Sequence, residues 1–276
     1  MVAEVETGQI ERPLHGVQVN SIKFYDDNDF KHAKMLCESG AEWLQVYRKK
    51  ATAVWTRATT NSEFDMIRAR TELDFSAEIL YDVLQDGEFR ARWDRYMIET
   101  VDIGFLNPNH DLCYYAMGGF PPFRSRDFVL QRSWLDLGAE KILCTHSVCH
   151  KDYPATSNHI RGIVYLTVYF IRSLSKDRCQ ITYLTHSNPK GKLPSWLTNK
   201  LTQVVAPQVF KRLQKACKEY PSWKETHNQK WKPWRFPEQQ LDLPRINVQE
   251  MCTPTDDQQE VVNEEKIDES VVKISE

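Results

Sequence analysis

Arg90 and Asp94 are the pair whose spacing most invites a chemical reading. They stand four residues apart in the second of two short helices predicted around Gly87, over Glu88 to Tyr96, so their side chains share one helix face. On the residues alone they are an exposed ion pair worth about 0.3–0.5 kcal/mol. Tyr115, Phe128 and Tyr169 fall in strand-like runs, where aromatic residues ordinarily fill a core. Bond-making chemistry finds little support: no G-x-S-x-G, H-E-x-x-H, P-loop or dinucleotide fingerprint occurs, and the Arg90–Asp94 pair brings no nucleophile. The eight histidines fall mostly in loops or strand ends. An enzyme would need His146, His150 or His186 to meet a carboxylate inside the fold.

Composition narrows the classes further. The chain has 276 residues, 41% of them hydrophobic, which suits one core of about 200 residues with tails. The formal charge is −2 overall, but the stretch from Pro237 onward holds eleven Asp and Glu against three Lys and Arg, a net of −8, so residues 1–236 carry +6. That balance permits attraction to an anionic membrane surface and falls short of the clustered basic stripe of a nucleic-acid binder. The seven cysteines are scattered and never spaced as C-x-x-C, which argues against a disulfide framework or zinc site and for a reducing compartment. No window approaches the roughly 18 uninterrupted apolar residues of a membrane span. The expectation is a cytoplasmic, monomeric protein without metal or cofactor, touching membranes only peripherally.

The elements that position these residues follow from periodicity. A helix is predicted from Asp29 to Glu38 and a strongly amphipathic one from Ser195 to Tyr220, with Pro207 kinking it or loosening one turn. Between them lie strand-like runs: Leu44 to Lys49, Ala53 to Arg57, Ile67 to Phe75, Ile98 to Leu106, Asp111 to Met117, Asp127 to Leu137, Lys141 to His150, Ile163 to Ser173 and Cys179 to Ser187. Their short connections predict an antiparallel meander. Several of these strands are apolar on both faces, so the sheet can wrap the last helix around a cavity. The expected organisation is α+β: a flexible arm over 1–20, one domain over 21–236 and an unstructured acidic tail over 237–276.

The run Tyr81 to Asp94 (YDVLQDGEFRARWD), then Arg126-Asp127-Phe128-Val129, then Pro189 to Asn199 (PKGKLPSWLTN), in that order, resembles the START family of lipid-transfer domains. Leu184 to Leu193, Ala216 to Trp223 and Lys232-Pro233-Trp234 are similar to its phosphatidylcholine-carrier branch. The resemblance implies a helix-grip fold, in which a curved antiparallel sheet and a C-terminal helix enclose a lipid tunnel. It implies that Arg90 contacts a lipid phosphate, that Asp94 pairs with Arg90, and that Tyr115, Phe128 and Tyr169 form a headgroup cage. Guanidinium is suited to the first role because it is bidentate and keeps its charge. Aromatic faces hold a quaternary ammonium, which has no hydrogen to donate; an ethanolamine head would use the hydroxyl of Tyr115 or Tyr169. Arg132, on the strand face of Phe128, either points into the tunnel or lies at the surface.

The same resemblance makes the Ser195 helix a lid. Trp196, Leu197, Leu201 and Val205, with Phe120 and Phe123 of a neighbouring loop, become the expected gate and membrane-docking residues. Core packing is the plainer reading of that helix, and hairpin packing of that loop. Thr255 and Ser270 sit among carboxylates as acidophilic kinase sites do, although a solvated charge run accounts for them too. The function this implies is carriage of one phosphatidylcholine or phosphatidylethanolamine between membranes. Its rivals are a lipid-sensing interaction module and the same fold carrying a sterol or ceramide.

Overall fold

The structure, a computed structural model, describes residues 20–60, 62–118, 121–251 and 262–272. The first helix, α1, spans Asp27–Glu38. Asp26 caps it by accepting from the Asn28 and Asp29 N–H groups while Asp29 accepts from the Asp26 N–H, so three otherwise orphaned donors are satisfied and the helix begins two residues before the predicted start.

The strands are β1 (Leu44–Lys49), β2 (Thr52–Arg57), β3 (Met66–Leu73), β4 (Met97–Asn107), β5 (His110–Met117), β6 (Arg126–Asp136), β7 (Glu140–Ser147), β8 (Ile160–Arg161), β9 (Ile163–Ser175) and β10 (Arg178–Asn188). They form one sheet in the order β1-β2-β3-β10-β9-β7-β6-β5-β4. The chain therefore runs as a meander from β4 to β10, and β10 returns to pair with β3. One departure from the antiparallel expectation is β8, which lies parallel to the start of β6; its two residues come after the long 148–159 connection, which frees the strand direction from hairpin geometry.

Helices α2 (Ala77–Gln85) and α3 (Gly87–Arg90) follow β3. The predicted helix to Tyr96 stops at Arg90, yet the Asp94 N–H still donates to the Arg90 carbonyl at 2.9 Å. That single turn preserves the i, i+4 spacing of the pair. At the C-terminal end, α4 (Trp196–Lys200) runs into a π-helical turn (Leu201–Val205) and then α5 (Ala206–Thr226). Pro207 sits in the first turn of α5. It has no N–H to donate, and the Ala206 N–H before it reaches back five residues to the Leu201 carbonyl, so the loosened turn expected from the sequence is a π turn. The helix continues six residues past its predicted end, through Pro221, because tertiary contacts outweigh the roughly 3 kcal/mol that an internal proline costs. Phe89 packs 5.0 Å from Tyr220 and 4.9 Å from Trp223, and Lys224 pairs with Asp86 at 2.8 Å.

The two-faced apolarity of the central strands has a simple cause. Even positions such as Ile142, Cys144, Val168 and Phe170 pack against Phe30, Ala33, Leu36 and Cys37 of α1. Odd positions such as Leu143 and Ile171 share the opposite core with Leu80 and Leu84 of α2 and Phe210 and Leu213 of α5. Alternation along a strand sends neighbours to opposite faces, and here both faces are covered.

Beyond Pro237 the expectation of an unstructured tail is corrected for the described residues. Short 3-10 turns occupy Pro237–Gln240, Val248–Glu250 and Glu269–Val271. Arg245 bridges Phe105, Asn263 bridges Lys192, and Glu264 is buried against Arg126. A buried cation needs a carboxylate partner, and the acidic tail supplies it. The expected flexible arm lies, over residues 1–19, outside the described residues, as does the span 252–261.

Two buried histidines tie the N-terminal segment to the sheet. The Tyr25 N–H donates to Nε2 of His110 at 2.9 Å, and Nε2 of His146 lies 3.1 Å from the Ser21 carbonyl. Burial pushes the pKa of both rings from 6.5 down to about 4. Between those values the unfolded chain binds more protons than the folded one, so stability falls as pH falls from 6.5 to 4. For the fully buried His146 the loss amounts to about 3 kcal/mol. Thermal unfolding followed across that window should show this decline, and a His146→Gln chain should show a flatter one; an unchanged slope would mean the ring is not held neutral.

Candidate functional site

Between the sheet and the α4–α5 helix lie two connected cavities. The outer one has a volume of about 580 Å³ and the inner one about 350 Å³, together near the upper end of the usual 300–1,000 Å³ for ligand cavities. Ile67, Met117, Phe128, Thr185, Ser187 and Leu201 line both, so the chambers meet at a waist where the π-helical turn faces the sheet.

Arg90, Asp94, Tyr115, Tyr169 and Arg132 all line the inner chamber. The α3 turn brings the first two, β5 and β9 the tyrosines, and β6 Arg132. Nη1 of Arg90 donates to Oδ2 of Asp94 at 3.2 Å, and the Tyr115 hydroxyl donates to the same oxygen at 2.9 Å. Nη2 of Arg90 reaches the Leu84 carbonyl at 3.5 Å, and the guanidinium also engages Tyr169. Both members of the pair are enclosed, with 16% and 11% of their side chains exposed, which removes the exposed-pair reading. Burial alone would lower the Arg90 pKa; Asp94, Tyr169 and Tyr115 outweigh it and raise the pKa instead. Burial, reinforced by Asp94, lifts Tyr115 well above its ordinary value, and burial with Tyr183 does the same for Tyr169. At neutral pH the chamber therefore holds a fixed cation, with both phenols protonated.

Arg132 faces the same chamber and is engaged by Asp111, its Nε at 2.8 Å and Nη2 at 2.5 Å, with Asp102 3.9 Å away. This bidentate fork makes it a paired internal charge. Phe128 is the aromatic of the waist, 6% exposed. Its position depends on Gly162, a residue not singled out from the sequence: a Cβ there would lie 2.4 Å from Cε1 of Phe128. A lone glycine between Ile160-Arg161 and Ile163-Val164 was the available signal for such a close approach. Trp93 and Tyr183 also line the inner chamber without having been singled out; the Tyr183 ring packs at a tilt, 5.1 Å from that of Tyr169, its cross-strand partner.

The expected gate residues separate into two groups. Leu197 and Phe123 line the outer chamber, Val205 the inner one and Leu201 both. Trp196 instead donates its indole N–H to the Ile267 carbonyl at 3.1 Å and packs 5.8 Å from the Phe123 ring. Phe120 and Thr255 lie outside the described residues. Ser270 is exposed, its N–H and hydroxyl both donating to Asp268. His146, His150 and His186 line neither chamber: His146 stacks on Tyr25, His150 meets Tyr153 edge to face, and His186 packs at a tilt on Tyr165. Among the described residues no group of His, Cys, Asp and Glu is placed to hold a metal, and no helix is long and apolar enough to cross a membrane.

A sheet wrapped on a helix around a two-chambered tunnel defines a class of ligand-enclosing domain. The START domain profile matches residues 23–222, and the chain belongs to the START-domain family. It is 39% identical over 264 residues to START domain-containing protein 10 of Mus musculus, covering 95% of this chain and 90% of that one. It is 28% identical over 188 residues to the phosphatidylcholine transfer protein of Bos taurus, 66% of this chain and 87% of that one. The crystal structure of human STARD10 superposes with a TM-score of 0.79 at 39% identity, over 86% of this chain and 97% of that one.

Removing one member of a buried pair strands the other. Arg90→Ala in the lipid-free chain should cost about 3–5 kcal/mol in urea unfolding, and Arg90→Met with Asp94→Leu should recover most of it. A single-variant cost below about 1 kcal/mol is what a solvated pair would give.

Proposed function

We propose that this chain is a phospholipid carrier that encloses one phosphatidylcholine or phosphatidylethanolamine and exchanges it at membrane surfaces. The observation that carries the reading is the Arg90–Asp94–Tyr115 cluster set in the wall of a tunnel otherwise dominated by apolar residues. Two acyl chains of about sixteen carbons carry roughly 25 kcal/mol of transfer free energy at about 0.8 kcal/mol per methylene. A carrier therefore has to replace the whole bilayer environment, which an enclosed tunnel does and an open groove does not. Arg90 supplies the charge for the phosphate, and Asp94 balances it when no lipid is bound. With five N–H donors, the Arg90 guanidinium can hold Asp94 and still turn donors to a phosphate.

Tyr115, Phe128 and Tyr169 give a choline head aromatic faces, and the two phenol oxygens give an ethanolamine head acceptors. A sterol or ceramide would need no such fixed cation. Carriage is favoured over catalysis because the thiol on the inner wall, Cys113, is pushed by burial up to about 12 and is a poor nucleophile. The similarity to START domain-containing protein 10 and to the phosphatidylcholine transfer protein supports the cargo class. The six described cysteines are free thiols, which suits the cytoplasm, with membrane contact peripheral.

Native mass spectrometry with lipid extraction should find one choline- or ethanolamine-headed phospholipid per chain, lost in Arg90→Ala. Sterol alone in both proteins would sink the headgroup assignment. Tyr115→Phe removes an oxygen acceptor and keeps the ring, so it should shift the extracted ratio toward phosphatidylcholine by about threefold or more, the scale of one hydrogen bond; an unchanged ratio would take Tyr115 out of headgroup selection.

A further inference from the structure

Residues 262–272 run along the edge of the outer chamber, where Glu265 joins its lining, and the groups they contact are ones a bilayer would use. The Lys192 N–H donates to the Val262 carbonyl at 2.9 Å, and the Glu264 N–H donates to the Lys192 carbonyl at 2.9 Å. These bonds pin the segment as a parallel bridge to the loop that leaves β10. Gly191 passes so close beneath it that a Cβ would lie 2.8 Å from the Val262 carbonyl. Glu264 then turns inward, accepting from Nη2 of Arg126 at 2.6 Å and from the Arg124 N–H at 2.7 Å. The Arg126 and Glu264 side chains are only 9% and 6% exposed. Further along, Ile267 accepts from the Trp196 indole and Glu269 pairs with Lys200 at 3.0 Å.

The charges on the two sides are complementary. The strap carries Glu264, Glu265, Asp268 and Glu269 against Lys266, a net of −3. Beneath it lie Arg124, Arg126, Lys192 and Lys200 with the Trp196 and Phe123 rings. Cations interleaved with aromatic side chains are what an anionic lipid–water interface attracts. Arg126 also donates to the Arg124, Pro189 and Lys190 carbonyls, so the guanidinium is held at the mouth independently of Glu264.

We propose that residues 262–272 are an intramolecular stand-in for an anionic bilayer: they occupy the membrane-docking face at the edge of the outer chamber, and an anionic membrane displaces them. The inference rests on the carrier reading for its purpose and on the strap contacts for its mechanism. Because strap and membrane compete for one face, the strap weakens membrane binding by the same factor by which membrane binding weakens the strap. Tethering gives the strap a high effective concentration, so modest contacts suffice to hold it. Exchange is thereby confined to membranes with enough negative charge to win the competition.

The test compares the full chain with one ending at residue 261 and with Glu264→Gln, by co-sedimentation with phosphatidylcholine vesicles with and without phosphatidylserine. The shortened chain should bind the phosphatidylserine vesicles about tenfold more tightly and Glu264→Gln about threefold more tightly, within the usual range of intramolecular coupling. Neither should gain on pure phosphatidylcholine, and a peptide of residues 262–276 added in trans should reverse the gain. Equal binding of all three proteins, or the same gain on both kinds of vesicle, overturns the proposal. Should the shortened chain fail the circular dichroism check of folding, Glu264→Gln decides in the full chain, where unchanged binding overturns it. The lipid extracted from the tunnel is a separate readout: it tests the carrier reading and leaves the strap competition unaffected.

Discussion

A charge that cannot be neutralised, enclosed where little water reaches, is the constraint on which the rest of the structure depends. Arg90 faces the inner chamber and keeps its proton, so its compensation has to be built in. Asp94 supplies the counter-charge, the Tyr115 hydroxyl donates to it, and the neutral Tyr169 phenol stands beside them in the chamber wall; each comes from a different part of the chain. The short turn after α3 delivers the carboxylate. The phenols arrive because β5 pairs Tyr115 with Phe128 on β6 and β9 pairs Tyr169 with Tyr183 on β10. A register slip of one residue in any of these ladders would turn an aromatic side chain out of the chamber.

Keeping a cavity open beside such a cluster requires walls that cannot collapse. The sheet is braced from outside by α1, whose buried face packs on β7, β9 and β10. The helix that closes the tunnel is braced unevenly. Its C-terminal half is anchored by Asp86, which binds Tyr220 at 2.9 Å and Lys224 at 2.8 Å, while Asp82 holds Lys232 at 2.7 Å and Trp234 at 2.8 Å. Its N-terminal half contains the π turn, lines both chambers, and packs on β1 and β2 as well as against the acidic strap.

Asp86 also caps α3, its carboxylate accepting from the Phe89 N–H. One buried carboxylate thus joins the fixed end of the closing helix to the turn that presents Arg90. The closing helix and the charged site share a frame, which holds the inner chamber in shape.

Much of this was legible in the residues. Strand alternation and helix periodicity are local properties of the chain, so the strands, the two long helices and the loosened turn before Pro207 followed from sequence, and the family motifs pointed to Arg90, Asp94 and the aromatic trio. What the sequence left open was decided by contacts between distant segments. Whether the Arg90–Asp94 pair is exposed or enclosed depends on α5 and β5, more than a hundred and some twenty residues away in one case and the other. The same holds for Gly162 behind Phe128, for the helix that survives Pro221, and for Trp196, which the strap covers. The acidic stretch beyond Pro237 shows the reason most clearly: its composition predicts a solvated tail, because charge without apolar residues cannot bury itself. Only the folded domain presents the buried Arg126 that makes burying Glu264 favourable, and a partner of that kind is invisible to any reading of local composition.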